Sequence, residues 1–187
     1  SFKHNDKEDL ISKIKQSTGQ CFVVVESIYS MDGDKANLKE IEKICKSSNA
    51  LLIVDEAHAT GVFGEKGEGL CNSISTFARV HTFGKSLGCH GAVVLGSANL
   101  IKYLINFSRP FIYTTAIAPN SVSTILQSYQ HMQTSQATNQ LRENINLFVE
   151  NINHENWLVS DSSIQSILIP GNHNTKKAAK ELQEKGF

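Results

Sequence analysis

Three reactive side chains follow short apolar segments of this sequence, close to where each segment ends. Asp55 and His58 come directly after Leu51–Val54, and Lys85 comes just after Val80–Phe83. Short apolar runs between turn residues are typical of buried strands in parallel sheets. Open α/β sheets place their chemistry just past the carboxyl ends of such strands. An acid, an imidazole and an amine at one sheet edge are the groups that would hold an aldehyde cofactor.

Each of these residues has a separate task in that interpretation. A lysine whose amine is partly deprotonated can form a Schiff base with pyridoxal phosphate (PLP), and Lys85 follows Gly84, which lets backbone approach a ring closely. Asp55 would pair with the pyridine nitrogen and so make the ring an electron sink. His58 would hydrogen-bond the phenolic oxygen, and the Thr82 hydroxyl would contact the phosphate. Taken singly, each residue also has an ordinary explanation as a cap, a structural histidine or a solvated lysine.

The segment Asp55-Glu56-Ala57-His58 also spells the DEAH box of nucleic-acid helicases. Their phosphate loop needs the pattern G-x-x-x-x-G-K-[ST], because a glycine-rich backbone must wrap the phosphates. Gly84-Lys85-Ser86 supplies only the end of that pattern, Arg79 stands at its first glycine position, and the tripeptide follows the acidic box. A helicase fragment therefore stays a remote alternative.

A metal site could be formed by Asp55, His58 and either His81 or His90. The pattern D-x-x-H is weak on its own, and seven histidines are ordinary for a chain of 187 residues. We therefore predict no metal.

Composition excludes several other classes of protein. The formal net charge is zero, which gives no reason to expect nucleic acid or an anionic membrane as a partner. No apolar run is long enough to span a membrane. The four cysteines are widely spaced, which favours reduced thiols and a cytoplasmic location over a disulfide framework.

The apolar pattern predicts an α/β fold with a mostly parallel sheet. A strand at Cys21–Glu26 and one at Leu51–Asp55 flank a helix that begins with a capping box at Asn37 and Glu40. Further strands at 79–83 and 92–95 are joined too closely for a crossover helix and should be antiparallel.

The second half of the chain is predicted to be mainly helical. The predicted elements are a helix at 99–107, a strand or extended loop at 110–115, one helix from 119 to about 152, a strand at 164–169 and a weak helix at 174–185. A surface helix precedes the first strand, with Leu10, Ile11 and Ile14 at helical spacing.

Three segments in this order resemble the α-oxoamine synthases, which are PLP-dependent acyltransferases with the aspartate-aminotransferase-like fold. The segments are Glu26–Asp34, Val54–Gly61 and Thr82–Lys85, and the similarity continues through Arg109–Thr115 and Ser163–Ser166. The resemblance covers nearly the whole chain and implies a three-layer α/β large domain. Residues 1–150 would belong to this PLP-binding domain, including the start of a linking helix near 119, and residues 151–187 would begin a small α+β C-terminal domain.

The resemblance implies roles for individual residues. Lys85, His58 and Asp55 would be catalytic, with Lys85 bonded to the cofactor. The implied cofactor contacts are Ser30, Asp55, His58, Thr82, Lys85, Thr114 and Thr115. The last two match a hydroxyl that reaches the phosphate in the neighbouring subunit, so the resemblance also implies a homodimer.

The implied reaction is a decarboxylative condensation of an amino acid with an acyl-CoA or acyl-ACP thioester. The turn Lys85–Ala92 is most similar to the 8-amino-7-oxononanoate synthase branch, which joins L-alanine to a pimeloyl thioester in biotin biosynthesis. Alternatives are glycine C-acetyltransferase (2-amino-3-ketobutyrate CoA ligase), serine palmitoyltransferase, 5-aminolevulinate synthase, or an aminotransferase or lyase of the same fold. We expect the chain to be a fragment of a longer protein and inactive alone, because the family's stacking histidine and carboxylate-binding arginine are expected outside it.

Overall fold

A four-stranded sheet forms the centre of the fold. The computed structural model of the protein describes residues 1–152 and 155–187. The strands are β1 (Phe22–Glu26), β2 (Leu51–Asp55), β3 (Ala78–Thr82) and β4 (Ala92–Gly96), in that spatial order. β1, β2 and β3 are parallel, and β4 runs antiparallel to β3, as predicted. The carboxyl ends of three neighbouring strands therefore lie at one edge, where Glu26 pairs with Asp55 and Asp55 with Val80.

Two helices cover one face of this sheet and complete the core. α1 spans Lys7–Gln16 and α2 spans Leu38–Ser47. Asn37 caps α2 as predicted, since its side chain accepts from the Glu40 N–H at 3.4 Å and donates to the Glu40 carboxylate at 2.9 Å. The apolar stripes of both helices pack on alternate residues of β1 and β2, and the core comprises Leu10, Ile14, Val23, Val25, Leu38, Ile41, Ile44, Cys45, Leu52 and Val54, among others.

Glu56, the residue after β2, anchors the long loop that leads to β3. Its side chain is fully buried. Both carboxylate oxygens share the Leu70 N–H, at 3.0 and 3.1 Å, and one of them also accepts from the Ser27 hydroxyl at 3.2 Å. Gly69 has φ +94°, and a Cβ there would lie 2.2 Å from the Glu56 carboxylate. The loop therefore needs both a carboxylate at 56 and a glycine at 69. A short 3₁₀ turn at Cys71–Ser73 follows.

The second half of the chain is mainly helical, and one short helix forms where a strand or extended loop was predicted. α3 spans Ala98–Phe107, as expected. The predicted strand or extended loop at 110–115 is wrong over its first half, because Arg109–Ile112 forms a short helix, α4. Pro110 lies in the first turn of this helix, where its missing N–H would have no partner anyway.

The single long helix predicted from 119 to 152 is also wrong. It is two helices, α5 (Pro119–Thr134) and α6 (Ala137–Asn151). Ser135 is extended, with φ −83° and ψ 159°, and its hydroxyl accepts from the Ala137 N–H at 3.4 Å. A serine side chain that bonds nearby backbone competes with the helix in this way. The polar stretch around the break has no apolar stripe that packing could use to keep one continuous helix.

The predicted strand at 164–169 is reduced to two residues. β6 (Ser166–Ile167) pairs antiparallel with β5 (Trp157–Leu158). The side-chain amide of Gln165 donates to the carbonyls of Ser160 and Ser162, both at 2.8 Å, and so holds a loop where strand was expected. α7 then spans Asn172–Glu184, close to its predicted bounds.

The C-terminal segment packs against the turn between β1 and α2. Ser160 donates to the carbonyl of Gly33 at 2.7 Å, and Ser166 to that of Met31 at 2.7 Å. Gly33 has φ +75° and leaves no room for a Cβ, which would lie 2.4 Å from the Ile164 carbonyl oxygen. The predicted small domain, residues 151–187, stays a prediction, and its residues Asn153 and His154 lie outside the described part of the chain. Among the described helices, none has the length and hydropathy needed to cross a membrane.

Glu56 gives a direct test of this loop architecture. Glu56→Ala should lower the free energy of unfolding by about 2–4 kcal/mol, because it leaves the partly buried Leu70 N–H and the buried Ser27 hydroxyl unpaired. Urea unfolding measures the change, and Glu65→Ala, an exposed carboxylate of the same loop, is the matched control. Equal stability of the two variants would show that the Glu56 contacts do not stabilise the loop.

Candidate active site

Lys85 and His58 meet at the carboxyl edge of the sheet. Lys85 lies in the turn between β3 and β4, which is closed by a hydrogen bond from the Cys89 N–H to the Phe83 carbonyl at 2.7 Å. His58 lies in the turn after β2, where the Ala59 N–H donates to the carbonyl of Glu56 at 3.0 Å. The Lys85 Nζ is 2.6 Å from the His58 Nε2. The two side chains predicted from separate strand ends therefore form one hydrogen-bonded pair.

Asp55 lies beside this pair as the last residue of β2. Its Oδ1 accepts from the Ala57 N–H at 2.7 Å, which orients the carboxylate at the strand end. The same carboxylate acts electrostatically on His58. The structure thus groups the three residues predicted to be catalytic.

The charges around His58 determine its protonation state. Burial lowers the pKa of His58, and the neighbouring Lys85 ammonium lowers it further, against the opposing effects of the Glu26 and Asp55 carboxylates. A neutral imidazole has one bare nitrogen. An ammonium group can only donate, so as an ammonium ion Lys85 donates to Nε2 and the ring proton of His58 is on Nδ1.

Glu26 is a site residue for which the sequence analysis gave no role. It is the last residue of β1 and the register partner of Asp55. Its carboxylate accepts from the Ser30 N–H at 2.9 Å and lies 3.4 Å from the Ser30 hydroxyl, so it places the predicted cofactor contact Ser30 at the same edge. The signal was available, because Glu26 ends a predicted parallel strand just as Asp55 does.

Thr82, the last residue of β3, carries a hydroxyl suited to a ligand. Its Oγ1 is buried and has no hydrogen-bond partner among the described residues. A buried hydroxyl without a partner costs free energy, and a phosphate oxygen at this strand end would accept from it. The predicted phosphate contact at Thr82 therefore fits the geometry of this chain.

Thr114 and Thr115 lie outside the two turns that carry His58 and Lys85. Both are exposed, in the irregular segment between α4 and α5. In the described part of the chain, no hydrogen bond links either hydroxyl to Lys85, His58 or Asp55. Their role at a neighbouring subunit stays a prediction.

The alternative metal site, Asp55 and His58 with His81 or His90, does not form a cluster of ligand atoms among the described residues. In residues 1–152 and 155–187, the group of possible ligands within 4.8 Å of one another is His4, Asp32 and Asp34, and it includes neither Asp55 nor His58. His4 is instead hydrogen-bonded to Asp34 at 2.8 Å.

Comparison with known proteins agrees with the site. The whole chain, residues 1–187, matches the family described as aminotransferase class I and II. A putative 8-amino-7-oxononanoate synthase of Bacillus cereus (strain AH820) is 34% identical over 199 residues, covering 100% of this chain and 50% of that protein. The chain thus spans about half the length of the curated relatives it matches.

The fold of the chain is also similar to that of solved structures. 8-Amino-7-oxononanoate synthase from Francisella tularensis superposes with a TM-score of 0.80 at 30% identity, over 95% of this chain and 55% of that one. A serine palmitoyltransferase from S. paucimobilis, solved with PLP and myriocin bound, also gives a TM-score of 0.80, at 28% identity over 92% and 47% of the two chains. The predicted cofactor is therefore the one found in a solved neighbour, and the predicted fold class is confirmed. The chain belongs to the aminotransferase class I and II family, and its predicted resemblance to the α-oxoamine synthases of that family is confirmed.

Proposed function

We propose that the protein containing this chain is a PLP-dependent α-oxoamine synthase, which joins an amino acid to an acyl thioester with loss of carbon dioxide. The observation that carries the proposal is the 2.6 Å contact between Lys85 Nζ and His58 Nε2, beside Asp55 at the carboxyl edge of a parallel sheet. Neither a surface lysine nor a structural histidine requires this convergence of amine, imidazole and acid.

The donor set matches the parts of PLP. Lys85 supplies the amine for the aldehyde, Asp55 an anion for the pyridine nitrogen, and His58 a hydrogen bond for the phenolic oxygen. Thr82 supplies a hydroxyl for the phosphate, and this hydroxyl has no partner among the described residues. Ser30 would be a further contact to the cofactor. When bound, PLP draws electron density from the α-carbon of an attached amino acid.

Two residues of this chain would also accept the proton that the α-carbon of the amino acid loses. We propose that the Lys85 amine, once free, takes the proton from the α-carbon and that the neutral His58 shares it through their hydrogen bond. The Asp55 carboxylate is held in place in this scheme, since its Oδ1 accepts from the Ala57 N–H. Its negative charge would balance a protonated pyridine nitrogen.

Assembly and domain organisation belong to the same proposal. A homodimer would let Thr114 and Thr115, both exposed, reach the phosphate in the neighbouring subunit. Residues 151–187 would begin the small C-terminal domain. Because the chain spans half the length of its relatives, we expect the 187-residue chain alone to be inactive and activity to need the whole protein.

The proposed substrates are L-alanine and a pimeloyl thioester, as in biotin biosynthesis. The name of the Bacillus cereus relative and the turn Lys85–Ala92 support this choice. The serine palmitoyltransferase neighbour supports a second candidate, L-serine with palmitoyl-CoA. Glycine with acetyl-CoA or succinyl-CoA are further alternatives within the same reaction class.

A labelling experiment tests the cofactor assignment. With limiting PLP followed by borohydride reduction, peptide mass mapping should find the pyridoxyl group predominantly on Lys85, because His58, Asp55 and the Thr82 hydroxyl lie at the same sheet edge to hold the cofactor. Lys85→Ala should abolish the selective label, whereas Lys102→Ala, a change of an exposed lysine in α3, should leave it unchanged. Equal labelling of many surface lysines in the unmutated protein would contradict the assignment.

Asp55→Asn removes the negative charge of this side chain but keeps its size and shape. The asparagine Oδ1 can still accept from the Ala57 N–H, so the fold should be retained, but no anion would face the pyridine nitrogen. We expect kcat of the whole protein to fall by about 100-fold or more, while Glu65→Gln changes it less than about twofold. A kcat for Asp55→Asn within about twofold of the unmutated value would remove Asp55 from the mechanism.

Substrate choice is decided by comparing kcat/KM for the four substrate pairs with the whole protein. L-alanine with pimeloyl-CoA should exceed each other pair by about 100-fold, the range that pocket shape and polar contacts give. A higher value for L-serine with palmitoyl-CoA would establish the second candidate. Detection of transamination without condensation would show an aminotransferase.

A further inference from the structure

A chain of hydrogen bonds, buried at Thr60 and His81, leads to the exposed Ser86 in the Lys85 turn. The Ser86 hydroxyl donates to the carbonyl of Thr60 at 2.5 Å, which ties the lysine turn to the His58 turn. The Thr60 hydroxyl donates to the carbonyl of Glu56 at 2.8 Å and lies 2.7 Å from the Nδ1 of His81. Thr60 and His81 are almost completely buried, with 1% and 6% of their surface exposed. Neither has a role in the proposed chemistry.

The hydrogen bond from the Thr60 hydroxyl to the Glu56 carbonyl indicates which tautomer of His81 is present. A hydroxyl has one hydrogen, and a carbonyl can only accept, so the Thr60 hydrogen points to Glu56. The Thr60 oxygen must then accept from His81, which carries its proton on Nδ1. Burial, and to a smaller extent Arg79, lowers the pKa of His81 against the opposing carboxylates of Glu56 and Asp55. His81 is thus a neutral Nδ1–H donor, and its buried Nε2 has no partner among the described residues.

Gly61 allows the two turns to approach each other. Its φ is +77°, and a Cβ at this position would lie 2.3 Å from the Ser86 Oγ. The Gly61 N–H donates to the Gly67 carbonyl at 2.7 Å, and its carbonyl accepts from Thr138 in α6 at 3.3 Å. The backbone at Thr60 and Gly61, to which Ser86 is hydrogen-bonded, is therefore fixed by contacts with Gly67 and Thr138. A shift of Thr60 would move Ser86 and with it the lysine turn.

We propose that His81 is a positioning residue for Lys85. Its Nδ1–H fixes the Thr60 turn, the Thr60 carbonyl holds Ser86, and Ser86 keeps the adjacent Lys85 amine against His58. His81 touches neither cofactor nor substrate in this arrangement and acts through Thr60 and Ser86. The inference rests on the proposed function for the role of Lys85, but the hydrogen-bond chain itself is independent of PLP.

The tautomer is tested without any cofactor. Long-range ¹⁵N–¹H correlation spectra of histidine-labelled protein, with His81→Asn used for assignment, should show His81 as the neutral Nδ1–H form at neutral pH. An Nε2–H tautomer or a charged ring would overturn the inference, since neither leaves His81 as a neutral donor to Thr60.

The positioning role is tested by the PLP-labelling assay and by kinetics of the whole protein. His81→Leu removes the donor and should lower the labelling rate of Lys85 by about tenfold or more, with a matching fall in kcat and little change in KM. His81→Asn has a side-chain N–H near the position of Nδ1 and should restore most of the rate. Ser86→Ala, at an exposed position, should reduce labelling without requiring repacking of the core.

The outcomes separate this inference from the proposed function. If Lys85 is labelled selectively in the unmutated protein but equally fast in His81→Leu and Ser86→Ala, the positioning role is wrong and the cofactor assignment stands. If His81→Asn is as impaired as His81→Leu, the histidine acts by its volume and the positioning role is again wrong. Absence of selective labelling in the unmutated protein would instead count against the proposed function.

Discussion

The parallel register of β1, β2 and β3 is the constraint on which every contact of the candidate site depends. It places Glu26 beside Asp55 and Asp55 beside Val80, so that the turns after β2 and β3 leave the sheet at one edge. Successive side chains of a strand point to opposite faces, and a slip of one residue would turn the Asp55 side chain to the other face of the sheet. The apolar residues of β1 and β2 prevent such a slip, because Val23, Val25, Leu52 and Val54 are buried only in the observed register.

At the sheet edge, negatively and positively charged side chains surround the neutral imidazole ring of His58. Glu26 and Asp55 are anions at two strand ends, Lys85 is the cation of a third, and His58 is kept neutral between them by burial and by the lysine. A neutral imidazole can accept from an amine and also donate from its other nitrogen. This arrangement suits a ligand with a positively charged nitrogen at one end and an anionic oxygen and phosphate at the other, as PLP has.

Strand ends and turn residues are local signals, and from them the sequence predicted that Asp55, His58 and Lys85 lie at one sheet edge. The structure has Lys85 hydrogen-bonded to His58 there, while the catalytic roles of the three residues stay predictions. Some of the elements around them were predicted less well, for physical reasons. The break at Ser135 could not be read from periodicity, because a polar stretch is compatible with both a helix and a kink. The burial of Glu56 depends on an N–H at Leu70, which a loop brings back across many residues. The Thr82 hydroxyl has no partner among residues 1–152 and 155–187, which only the folded arrangement reveals. The role predicted for Thr115 would need a second subunit.

The central claim is that Lys85 and Asp55 face a common space for one aromatic ring. A crystal structure of the whole protein grown with PLP tests this most directly. We expect electron density continuous from the Lys85 Nζ to the cofactor, with the pyridine nitrogen within hydrogen-bond distance of Asp55 and the phosphate in contact with Thr82. Cofactor bonded to a different lysine, or a Lys85-bound ring with its nitrogen turned away from Asp55, would contradict it.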